Sequence, residues 1–271
     1  MKKKRIIPVL LLNNGWVVQS KLFSQYRNLG NPTASVERLS NWASDELIYL
    51  DISKGNNYNM GRTDLIDPNR DNIVDIIKDI SKVAFMPLTF GGKISNISDI
   101  EIRLRSGADK VSINTIAIEK PSFINEAAQI FGSQCIVVSI DVKKIDNKYY
   151  VIKKNGTVFD KYTPHEWANL VQDYGAGEIF LNSIDCDGMK NGFDIDMINY
   201  VTKNINIPVI ACGGAGEWQH FLDVFEQTNV DAVAAANIFQ HVDQSVYLAK
   251  KYLYENKINV REPKLLSTKK F

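Results

Sequence analysis

Eight short apolar runs recur from one end of the chain to the other, separated by stretches with helical periodicity. This alternation constrains the fold more than any other feature. The runs predict strands at residues 5–11, 46–51, 84–90, 110–113, 135–141, 178–182, 208–212 and 232–236. They are β-branched and nearly continuous in apolar character, as strands covered on both faces must be. Between them, residues 35–44, 72–82, 98–106, 121–131 and 164–174 read as amphipathic helices, several opened by a Ser or Asp cap or an early Pro. Eight strand-then-helix units permit a closed barrel or a doubly wound sheet. An internal echo selects the barrel. Phe90-Gly91-Gly92 followed by Gly107-Ala108-Asp109-Lys110-Val111 recurs, at one common interval, as Cys212-Gly213-Gly214 followed by Val230-Asp231-Ala232-Val233. Two matching half-barrels account for this most simply, so the expectation is one α/β domain over residues 1–271, a single (β/α)8 barrel with half-barrel symmetry.

Length supports that reading, since 271 residues is an ordinary size for one such barrel. A net charge of +1 gives no long-range field for nucleic acid or an acidic membrane surface. The basic start resembles a secretory leader only superficially, because its apolar run is short, contains Pro8 and ends in Asn13-Asn14-Gly15. No segment is apolar over the length a bilayer requires. Three cysteines, Cys135, Cys186 and Cys212, lack metal-type spacing and suit a reduced cytoplasm. Two stretches stand outside the repeat. Residues 54–71 form a long polar loop, and residues 143–159 read as a hairpin turning at Asn155-Gly156.

In such a barrel the strand C-termini build the active site. The candidates there are Asp51, Gly91, Gly92, Asn114, Thr115, Asp141, Ser183, Asp187, Gly188, Gly213, Gly214 and Asn237. The two glycine pairs let backbone N–H groups approach a ligand, which points to one or two phosphates. Asp141 ends an apolar strand and serves either as a general acid or base or as a structural cap of the following turn. Asp185 and Asp187 suit sugar hydroxyls as well as a cation, and with no His nearby no metal is expected. His165, His220 and His241 fall away from strand C-termini, and no cofactor is implied.

Lys4-Arg5-Ile6-Ile7-Pro8, Arg27-Asn28-Leu29-Gly30-Asn31-Pro32, Asp45-Glu46-Leu47-Ile48-Tyr49-Leu50-Asp51, the segment from Gly107 to Thr115, Ser183 to Gly188, and Gly213-Gly214-Ala215-Gly216 together carry a specific pattern. Over nearly its whole length the chain resembles the cyclase subunit of imidazole glycerol phosphate synthase. That resemblance implies a partner glutaminase under the barrel and ammonia passing up its centre to a lyase site above. It assigns Arg5, Glu46, Lys110 and Glu178 to a charged gate at the base and Asp109 to the docking region. It also implies a catalytic pair of aspartates, of which Asp141 is one. The other position holds Leu11, a family lysine is replaced by Gln19, and Lys93 stands where a third glycine is expected.

These departures imply a crippled cyclase with an intact ammonia intake. The expectation drawn from them is an ammonia-supplying subunit for a separate sugar amidotransferase in lipopolysaccharide-type synthesis, with a small phosphorylated ligand as a further partner. The alternatives are a working histidine-pathway cyclase and a non-catalytic scaffold that activates a glutaminase.

Overall fold

A computed structural model describes residues 2–55, 58 and 72–265. Among the described residues twelve strands run in chain order: β1 Arg5–Asn13, β2 Trp16–Lys21, β3 Gln25–Gly30, β4 Leu47–Asp51, β5 Leu88–Gly91 and β6 Lys110–Ile113, then β7 Ile136–Ile145, β8 Lys148–Lys153, β9 Val158–Phe159, β10 Glu178–Ser183, β11 Val209–Cys212 and β12 Ala232–Ala235. Eight of them pair in parallel, in the cyclic order β1, β4, β5, β6, β7, β10, β11, β12 and back to β1. The sheet is therefore closed, as the repeat predicts.

Helices α1 Pro32–Asn41, α2 Ile73–Ser81, α3 Ile97–Arg105, α4 Thr115–Glu119 and α5 Ser122–Phe131 connect the first half of the barrel. The second half carries α6 Pro164–Asp173, α7 Ile195–Thr202, α8 Trp218–Gln227, α9 Ile238–His241 and α10 Ser245–Glu255. Their starts are written in the sequence. Asn96 with Asp99 and Thr163 with Glu166 form capping boxes, and Pro32 and Pro164 open their helices where a missing N–H costs nothing.

Strand alternation divides the core in two. On β1, Ile6, Leu10 and Leu12 pack outward under the helices, whereas Ile7, Val9 and Leu11 face the barrel interior. Ile48, Val137, Phe180, Ile210, Ala232 and Ala234 complete that small inner cluster. The fully buried Lys250 of α10 pins the last helix to the base, donating to Asp45 Oδ1 at 2.7 Å and to the Ala43 carbonyl at 2.8 Å.

Some expected bounds shift. The third barrel strand begins at Leu88 rather than at residue 84, because Pro87 lacks a ladder donor and Phe85 is 80% exposed. Helix α1 begins at Pro32, three residues before the predicted start, since Asn31 caps it and accepts from Thr33 N. The hairpin expected at residues 143–159 is a three-strand meander. β7 continues to Ile145 and pairs with β8 through a turn at Asp146-Asn147, and only the second turn uses Asn155-Gly156. The β2–β3 hairpin has no counterpart in the predicted strands. Apart from Lys54, Gly55 and Tyr58, the loop expected at residues 54–71 lies outside the described residues. Among the described residues no helix is long and apolar enough to cross a membrane.

Candidate functional site

At the base of the barrel the first inward-facing positions of three strands, together with the residue before β4, bring four charges onto one axis. Arg5 donates to Glu46 Oε2 at 2.8 Å and to Glu178, while Lys110 donates to Glu46 Oε1 and Glu178 Oε2, each at 2.9 Å. Each cation touches both acids, so the ring is closed on itself, and Thr89 adds a hydroxyl to Glu46 at 2.9 Å. Burial opposes the charge on Arg5 and Lys110, yet the two carboxylates outweigh it and shift both cations toward still firmer protonation. Asp109 is nearby but outside the ring. Its carboxylate accepts from Leu88 N at 2.8 Å and borders a shallow depression beside the exposed Phe85.

At the opposite end, the strand C-termini surround a cavity of about 250 Å³. Asp141 of β7 lies in its wall. Asn114 Nδ2 donates to Asp141 Oδ2 at 3.1 Å, and Asn182 Nδ2 lies 3.5 Å from Oδ1. Burial raises the Asp141 pKa to about 7, against the opposing hydrogen bonds of Asn182 and Ser139, with nearby Asp187 adding to the rise. A carboxyl poised near neutrality is suited to moving a proton in either direction.

The β2–β3 hairpin roofs this cavity. Ser20 donates to Asp187 Oδ2 at 2.6 Å, Phe23 N donates to the same oxygen at 3.3 Å, and Leu22 N reaches the Asp187 carbonyl at 3.1 Å. Asn237 Nδ2 holds the Ser20 carbonyl at 2.8 Å. The second ribbon meets the roof where Gly156 lies against the Phe23 ring, and Asn155 joins the wall. Asn237, only 6% exposed, keeps its side-chain oxygen without a protein donor.

The glycine pairs are required by close packing. A Cβ on Gly92 would lie 2.1 Å from the Asp51 carbonyl oxygen, and one on Gly214 would lie 1.9 Å from that of Gly192. Both residues have φ near +100° (92° and 108°).

The sequence matches the histidine biosynthesis protein family over residues 5–244. The chain belongs to that family. Among its relatives, the imidazole glycerol phosphate synthase subunit HisF of Flavobacterium psychrophilum is 40% identical over 261 residues, covering 96% of this chain and 100% of that protein. The proteins of the same name from Clostridium botulinum and Geobacillus thermodenitrificans are 40% and 41% identical over 263 residues, with the same coverages. The HisF-like barrel predicted from the sequence is thus the family's own. Nothing in these relatives points to the sugar-modifying branch.

Most of the candidates read from the strand C-termini gather at the mouth. Gly92, Asn114, Thr115, Asp141, Asp187, Gly188, Gly213, Gly214 and Asn237 all line the cavity. Gly91 and Ser183 do not. Each is buried in the sheet, and a Cβ on Gly91 would press on Leu50 and Ser112. Asp51 lines the cavity, but protein donors already fill its carboxylate. Ser53 donates twice to Oδ1, from N at 2.9 Å and from Oγ at 2.5 Å, while Tyr58 and Lys93 take Oδ2, with Lys93 Nζ at 3.1 Å.

Leu11, at the position where the resemblance puts a second aspartate, is part of the wall. Asp185 diverges from Asp187 and accepts from Lys144 N at 2.6 Å. The roof residues Ser20, Phe23 and Tyr26 were not among the sequence candidates. Their signal is a polar strand pair that periodicity does not register.

Proposed function

We propose that this chain is the ammonia-using synthase subunit of a glutaminase complex, acting as an imidazole glycerol phosphate synthase cyclase does on a phosphorylated ligand in the upper cavity. The observation that carries the reading is the alignment of two features on one barrel axis: a self-paired ring of four charges below and a cavity holding a proton-moving carboxyl above. The exposed Phe85 beside Asp109 supports docking of a glutaminase at the base.

Ammonia is neutral and small. It passes the ring when one ion pair parts, and then crosses an interior lined by Ile7, Ile48, Phe180 and Ala234, where a charged ammonium would be heavily penalised. At the mouth, nitrogen attacks a carbonyl carbon of the ligand, the C=O π pair moves onto oxygen, and Asp141 in its carboxylate form takes the proton that nitrogen loses. Asn114 and Asn182 orient that carboxylate. Asn237 Oδ1 awaits a ligand donor such as a hydroxyl.

The relatives' shared name favours this histidine-pathway reading over ammonia supply to a sugar amidotransferase. Leu11 is the observation that keeps the second reading in view, because a leucine has no proton to give and the wall then holds one acid of an expected pair. Reconstitution with a glutaminase and the bis-phosphorylated ribulosyl substrate tests the choice. Formation of imidazole glycerol phosphate, increased by Leu11→Asp, supports the first reading. Glutamine-dependent ammonia release with none of that product, in wild type and variant alike, defeats it. A pure scaffold is distinguished by Lys110→Ala, which leaves a scaffold's effect on glutamine hydrolysis intact but uncouples hydrolysis from product in a conduit.

A further inference from the structure

We infer that Lys93 is the phosphate-binding cation of the upper cavity, a specificity-determining residue at a position where the glycine pattern calls for no side chain. The inference rests on the proposal that the ligand is phosphorylated and adds where its charge is met. Among the described residues lining the cavity, three are carboxylates, Asp51, Asp141 and Asp187, and Lys93 is the one cation. A dianionic phosphate entering such a wall is repelled nearly everywhere else.

The ammonium is also held in place in advance. Its Nζ lies 3.1 Å from Asp51 Oδ2, donates to the Gly55 carbonyl and sits 5.1 Å from the centre of the Tyr58 ring. An ammonium has three N–H donors, and among the described residues Asp51 and Gly55 take two of them. The Asp51 side chain is fully buried whereas that of Lys93 is 22% exposed, which leaves the cation as the accessible member of the pair.

The backbone gives an independent indication. Lys93 has φ of 54°, a left-handed conformation that glycine adopts more cheaply, and the matching place after the second glycine pair holds the uncharged Ala215. Buried Arg103 secures the strained turn, donating to the Gly92 carbonyl at 2.9 Å and to that of Lys93 at 3.4 Å. The two glycine turns of the mouth therefore differ: one carries a fixed cation and the other the uncharged Ala215.

Calorimetric titration of the full chain with inorganic phosphate tests this. Lys93→Gly is expected to weaken phosphate binding by about 10-fold or more, the scale of one charge-assisted hydrogen bond, while Lys93→Arg stays within about 3-fold of wild type. If Lys93 serves only to neutralise Asp51, Lys93→Gly lowers the melting temperature but leaves phosphate affinity unchanged, and that result overturns the assignment. Combining Lys93→Gly with Asp51→Asn removes the unpaired carboxylate. Phosphate binding that stays weak in the double variant supports the inference, and recovery to wild-type affinity overturns it. A wild-type chain with no saturable phosphate binding overturns both this inference and the phosphorylated-ligand reading beneath it. Normal affinity in Lys93→Gly overturns this inference alone.

Discussion

At the base of the barrel two cations and two carboxylates close into one cycle, whereas at the mouth, among the described residues, three carboxylates line the cavity with a single lysine. The same fold thus handles charge in opposite ways at its two ends. The base needs no charge from outside to balance its own, so the ring can stay shut. The mouth is unbalanced. Its negative excess is lowered by a proton on Asp141 and by the Lys93 ammonium. A self-compensated cluster suits a passage, and an uncompensated one suits a binding site.

The contrast is most exposed to attack at Asp141. Asp141→Asn is expected to lower turnover by about 10²–10⁴-fold, measured with the glutaminase partner and the phosphorylated substrate. Because the carboxylate form accepts the proton, wild-type activity should fall as pH drops through about 7. A flat profile between pH 6 and 8 would remove the role assigned to it.

The same group links pH to stability. Its folded proton affinity is raised, so its contribution is favourable below the ordinary carboxylate range and is lost as pH rises to about 7. Asp141→Asn should therefore gain on wild type by up to about 4 kcal/mol between pH 4 and pH 8, read from urea denaturation at both values.

Next in size are the glycines of the mouth. Gly92→Ala and Gly214→Ala each push a methyl into a carbonyl oxygen and should cost about 2–3 kcal/mol of unfolding free energy. Equal stability to wild type would mean that these turns relax freely.

At the base, Glu178→Ala leaves Arg5 and Lys110 with one acid between them. Loss of a partner from a fully buried pair costs about 3–5 kcal/mol, and the partial exposure of both cations reduces this to about 1–3. The expected functional sign is faster glutamine consumption per product formed. The smallest effect is expected at the roof. Ser20→Ala removes one donor from Asp187 and should cost about 1 kcal/mol, with a raised KM and little change in kcat. A kcat loss matching that of Asp141→Asn would place the roof within the chemistry.

The barrel was legible in the sequence from its repeat and the base ring from the family resemblance, and strand phase is the physical reason the ring assembles. Once Ile7 and Val9 face inward, Arg5 must as well, and the same parity carries Lys110 and Glu178 onto the axis. Asp141 was legible for the same reason. Other features depend on neighbours that no local pattern announces. Asp51 reads as a free carboxylate at a strand end, yet Ser53, Tyr58 and Lys93 fill it through the loop that follows. The β3 strand, with four exposed residues in a row, carries no apolar alternation, since it pairs with β2 above the mouth and covers no core. Ser183 lies in a motif that looks like a ligand site, but the parity of β10 turns it into the outer wall, and Asn182 takes the inward place.

The bolt between Lys250 and Asp45 ties the chain's opening and closing segments together. Asp45 also accepts from Ile6 N at 2.9 Å, and its neighbours Arg5 and Glu46 belong to the base ring. β1 pairs with β12 on one side and β4 on the other. As the chain is made, β1 therefore stays half-partnered until the distant β12 has followed β4. A chain lacking β12 would hold β1 with one edge open and the barrel unclosed.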